Sequence, residues 1–85
     1  MEQKLIIYVE RQLGYARSWK NNSKTVESSE MRAYIARTIA ALETKAFAAV
    51  EFFCETICDD DPKLRERMCD RWDEWKKEFF ELSIS

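Results

Sequence analysis

Apolar residues recur along this chain at intervals of three and four, and almost nothing interrupts them. From Met31 the series runs through Ile35, Ile39, Leu42, Ala46, Ala49 and Phe53 to Ile57, with steps of four, four, three, four, three, four and four. Such spacing predicts one long helix, about residues 26–58, with a continuous buried stripe. Two further apolar lines share that helix. Tyr34, Ala41, Ala48 and Phe52 lie on one adjacent face, and Ala33, Ala40, Phe47 and Cys54 recur at strict sevens on another.

A shorter helix is predicted on either side. The first covers about residues 2–20, with Leu5, Val9, Leu13 and Ala16 as its stripe, Ile6 on one flank and Tyr8, Tyr15 and Trp19 on the other. Gln12 falls inside that stripe and needs a partner or an opening. Gly14 falls on the polar side, where it costs up to about 1 kcal/mol relative to alanine. Leu5 to Val9 has strand-like composition, but no second strand exists to pair with it. The last helix covers about residues 62–82 on Leu64, Met68, Trp72, Trp75, Phe79 and Leu82, leaving Ser83 to Ser85 as a frayed tail.

The breaks have their own chemistry. Asn21, Asn22 and Ser23 suit a left-handed C-cap, and Thr25 or Ser28 can cap the second helix. Asp61 reads as an N-cap, with Pro62 in the first helical position, where its missing N–H is harmless. The run Asp59–Asp61 lacks the spacing and glycine of a calcium loop, so capping explains it better.

Short links between three helices imply an all-α, antiparallel three-helix bundle with a long central spine. The flanking helices are expected to cover opposite halves of that spine, with limited overlap in the middle. More apolar face then remains than one copy can cover, and a homodimer is the expected remedy. Its candidate interface is Tyr34, Ala41, Ala48 and Phe52 together with Ala33, Ala40 and Phe47.

Composition agrees with this picture and narrows it. Eighty-five residues, 46% hydrophobic and 35% charged, make one small helical domain over 1–85, and a single glycine and a single proline exclude a turn-rich β fold. No apolar run approaches the roughly 20 residues of a membrane span. The N-terminus lacks the features of a signal peptide, so a cytoplasmic chain with reduced thiols is expected. The charge is uneven. Residues 1–50 hold eight Lys or Arg against five Asp or Glu, and residues 51–85 hold six against eleven.

Chemistry for catalysis is thin. The chain has no histidine, which removes the commonest general acid–base and metal ligand. It has no nucleophile dyad and no glycine-rich phosphate loop. Carboxylate pairs such as Glu51 with Glu55, or Asp70 with Asp73 or Glu74, are routine on helix surfaces. No catalytic, cofactor-binding or metal-binding residue is therefore predicted. Cys54, Cys58 and Cys69 are read first as core filler. The weaker readings are a Cys54–Cys69 disulfide and a tetrahedral zinc set of the three thiolates completed by Asp59 or Asp60.

Three function classes follow. The first is a non-enzymatic protein–protein interaction module that occupies a partner's surface through an acidic face of Asp70, Asp73, Glu74, Glu78 and Glu81. The second is a nucleic-acid-binding regulator using the basic residues around the first elbow, Arg11, Arg17, Lys20, Lys24 and Arg32. The third is a purely structural self-assembly module. In general habit (tiny, histidine-free, all-helical, acid-rich) the chain is similar to small phage or mobile-element accessory proteins, including inhibitors of host defence. That likeness is one of kind and carries no motif or residue.

Overall fold

The structure, a computed structural model, describes residues 2–84. Three helices pack against one another: α1 (Glu2–Ser23), α2 (Ser29–Thr56) and α3 (Pro62–Ile84). Their Cα envelope measures 50 × 18 × 14 Å. α3 continues through Ser83 and Ile84, where fraying was expected, and Ser85 lies outside the described residues.

Local chemistry sets the boundaries. Ser28, with extended backbone at φ −70° and ψ 127°, accepts a hydrogen bond from the Met31 N–H at 3.3 Å and so caps α2 in preference to Thr25. Thr25 instead donates to the Asn22 carbonyl. The expected left-handed C-cap of α1 does not form, because no described residue has a positive φ. α1 ends through tight three-residue turns, with the N–H groups of Lys24, Thr25 and Val26 bonded to Asn21, Asn22 and Ser23. At the second break the Leu64 N–H donates to Asp61 Oδ1 at 3.1 Å, and Pro62 opens α3 as expected. The Arg65 guanidinium donates to the Cys54 carbonyl at 3.1 Å, satisfying one of the orphan acceptors at the end of α2.

The flanking helices overlap far more than the sequence suggests. Ion pairs Glu2–Arg67, Glu10–Arg71 and Arg17–Glu78 advance together along α1 and α3. Along α2 the numbers fall as those of α3 rise: Cys54 meets Arg65, the Phe47 and Trp72 rings lie 5.4 Å apart, and Leu82 shares a groove with Ile35 and Ile39. The reason is length. α3 has 23 residues against 28 in α2, so it cannot stop halfway along the spine.

One core results. Leu5, Val9, Leu13 and Ala16 of α1 meet Ile35, Ile39, Leu42, Ala46, Val50 and Phe53 of α2, with Met68, Trp75 and Phe79 of α3 closing the third side. Cys58, in the link before α3, is fully buried beneath this end. Two shifts from the expected stripe occur on α2. Val50 is buried in place of the half-buried Ala49, and the terminal Met31 and Ile57 reach solvent. Gln12 is buried without a protein hydrogen bond, yet no fully buried side-chain N or O among the described residues lacks a partner, so its amide opens to solvent.

Two substitutions test this packing. Phe79 is fully enclosed, so Phe79→Ala is expected to cost about 3–5 kcal/mol in urea unfolding. A Cβ added at Gly14 meets nothing within 4 Å, so Gly14→Ala is expected to gain about 0.5–1 kcal/mol. A loss on Gly14→Ala would show that α1 is not seated as described.

Candidate functional site

α1 and α3 sit side by side against α2, and the side of α2 turned away from both is uncovered. Ala33, Ala40, Ala41 and Ala48 are exposed there. Larger side chains border them: Tyr34 is 51% exposed, Phe47 44% and Phe52 66%. All seven residues proposed from the sequence as an interface are thus at the surface. The apolar spacing reveals them because α2 carries three apolar lines and the core draws mainly on one of these. Tyr34 leans on Trp19 with ring centroids 6.0 Å apart, and Phe47 leans on Trp72.

Beside this face, between α2 and α3, runs an open groove of about 470 Å³. Its floor is Phe47, Val50, Cys54 and Trp72, and Glu51, Glu55 and Asp73 stand at its lip. Arg37, Lys45, Glu51 and Glu55 make no ion pair among the described residues. On the α1–α3 side, by contrast, three ion pairs join the helices: Glu2–Arg67, Glu10–Arg71 and Arg17–Glu78.

That pairing divides the proposed acidic face. Glu78 is bound to Arg17, and Glu74 shares a groove with Arg17 and Arg71. Asp70 lies in a second groove with Arg67 and Arg71, whereas Asp73 turns to the α2 side. Glu81 is exposed and engaged within the fold. The five carboxylates therefore do not form a single unopposed patch. Among the basic residues, Lys20, Lys24 and Arg32 do converge, around a groove of about 460 Å³ floored by Ile35, Ile39 and Leu82. The Arg32 guanidinium also donates to the Val26 carbonyl at 3.0 Å. Arg17 is committed to Glu78, and Arg11 stands apart from the groove.

Comparison with the models of known protein families, with curated proteins and with solved structures finds no match. Any chemistry must come from the residues themselves.

The thiols are free, with Cys58 buried, Cys54 half-buried and Cys69 exposed. Burial pushes the Cys54 thiol up from 9.0 to about 11, and the neighbouring Cys58 and Cys69 add to the effect. Burial raises Cys58 as well. Such thiols are poor nucleophiles at neutral pH, since the thiolate is the reactive form. No group of three or more Cys, Asp or Glu side chains among the described residues is arranged to hold a metal ion, and no helix there is long and apolar enough to cross a membrane.

The raised thiol fixes the sign of an alkaline effect. The unfolded chain releases the Cys54 proton near its ordinary value of 9.0, while the folded chain holds it to about 11. Stability is therefore intact below about pH 9 and falls as pH rises through that window. Urea midpoints at pH 8 and pH 10 are expected to differ more in the parent chain than in Cys54→Ser. Iodoacetamide at pH 8 is expected to label Cys69 first, and equal labelling of all three would contradict the burial described.

Proposed function

We propose that this chain is a non-enzymatic helical docking module whose outward α2 face receives another macromolecule. What supports it above all is the exposure of Tyr34, Phe47 and Phe52 around a strip of alanines, on a helix whose other sides are already packed. A soluble surface rarely leaves a contiguous apolar patch without a use. Aromatic side chains ringed by unpaired charge have the composition of an interface centre with a polar rim. Occupation of a partner's surface, as an inhibitor or accessory protein would act, needs only such a face. The acidic residues of α3 are a weaker choice, because Arg17, Arg67 and Arg71 offset them.

A second reading has one observation in its favour. Lys20, Lys24 and Arg32 gather at one groove near the first elbow, which suits an anion or a nucleic-acid backbone. With Arg17 paired and Arg11 apart, that patch is smaller than the sequence suggests.

Capture from the source cell's lysate separates these readings. The parent chain is compared with Ala41→Arg/Ala48→Arg, with Asp70→Lys/Glu74→Lys and with Lys20→Glu/Lys24→Glu, each checked by circular dichroism. Loss of the captured partner in the α2 variant alone is expected. Loss confined to the Asp70 and Glu74 variant would return the site to the acidic face. Nucleic acid retained by the parent and lost in the lysine variant would favour the second reading.

A further inference from the structure

Resting on the docking reading above, we infer that the occupant of the α2 face is a second copy of this chain. The two copies lie antiparallel, related by a two-fold axis at Thr44. The residues on the outermost line of α2 are Ala33, Arg37, Ala40, Thr44, Ala48, Glu51 and Glu55, all exposed. Their steps are four, three, four, four, three and four, and the series reads the same in either direction from Thr44. At 3.6 residues per turn they stay within about 40° of one line.

A two-fold axis at Thr44 places each residue opposite the one equally far on the other side. Ala40 then meets Ala48 of the second copy, four residues from the axis, and small side chains there allow close helix approach. Arg37 meets Glu51 of the second copy, seven residues from the axis. Opposite charges thus face each other twice, and neither Arg37 nor Glu51 makes an ion pair among the described residues. A parallel pairing would instead set Arg37 against Arg37 and Glu51 against Glu51.

Tyr34 and Phe52 obey the same symmetry. Tyr34 stands ten residues before Thr44 and Phe52 eight after it, on the same edge of the helix. A two-fold axis across the helices keeps that edge on one side in both copies. Tyr34 of one chain therefore comes within about two residues' rise, roughly 3 Å along the axis, of Phe52 of the other. Each end of the seam is closed by an aromatic pair, the arrangement that best excludes water from a small interface.

The test is sedimentation across a dilution series, with the full chain and four variants: Arg37→Glu, Glu51→Arg, the double exchange, and Ala48→Arg. A dimer is expected for the parent. Each single charge reversal is expected to raise the dimer Kd by roughly tenfold or more, and the double exchange to restore it. Ala48→Arg is expected to abolish association while its circular dichroism stays helical. A dimer lost in Ala48→Arg but indifferent to charge overturns the Thr44 register and leaves the docking face standing. A dimer indifferent to all four variants forms through another surface and overturns the inference, and the lysate capture above then decides the docking face. A parent chain monomeric at every concentration overturns the second copy as occupant, and the lysate capture above then decides the face independently.

Discussion

Two helices that pack on a third and also on each other can cover only one side of it. Everything distinctive about this molecule follows from that constraint. α1 and α3 meet along the seam of Glu2–Arg67, Glu10–Arg71 and Arg17–Glu78, which holds them on the same side of α2. These pairs are exposed and individually worth roughly 0–1 kcal/mol, so they fix register more than they supply stability. The cohesion comes from beneath them, where Leu13, Met68, Trp75 and Phe79 close the core against α2. Arg71 also lies over the Trp75 ring at 5.2 Å, so one guanidinium serves both the seam and the core. The helix on which both others pack is the one left with a bare side.

Much of this is legible in the sequence because helical spacing encodes burial directly. Leu5, Val9, Leu13 and Ala16 are buried as the stripe of α1, and Met68, Trp75 and Phe79 as the centre of that of α3. Asp61 and Pro62 start α3 where capping chemistry requires. On α2 spacing alone could not decide among three apolar lines. Val50 rather than Ala49 entered the core because the two flanking helices sit close together and turn the buried arc toward both. That proximity is a tertiary fact. It depends on pairs such as Arg17 and Glu78, 61 residues apart, whose partnership no local pattern announces.

The candidate site was legible in one way and illegible in another. The surplus of apolar positions on α2 points to Tyr34, Ala41, Ala48 and Phe52 from spacing alone. The sequence favours the acidic patch and keeps the basic one as its rival, and the fold sets the two against each other. Glu78 and Arg17 belong to opposite patches and neutralise each other, while Lys20, Lys24 and Arg32 remain together at the elbow. Charge runs name candidates; only packing says which charges are left over. On α2 no charged side chain enters an ion pair among the described residues, Arg37 and Glu51 of the outward line included.

Exposed alanines need no functional explanation by themselves, since alanine is the best helix former and steadies a long helix at no packing cost. Tyr34 and Phe52 are another matter. Aromatic residues lose rotamer freedom in a helix and rank below alanine, and ring surface left in water gains nothing from folding. Tyr34 recovers a little through its edge contact with Trp19, but Phe52 remains two-thirds exposed with no ring partner among the described residues. A chain shaped only for its own stability would place a lysine or glutamate at both positions, as it does at Lys45 and Glu55 on the same helix. The cost of keeping two rings in solvent is offset only if something covers them. Their shared edge, nearly equal distances from Thr44 and positions just outside Arg37 and Glu51 fit one symmetric cover better than two unrelated contacts.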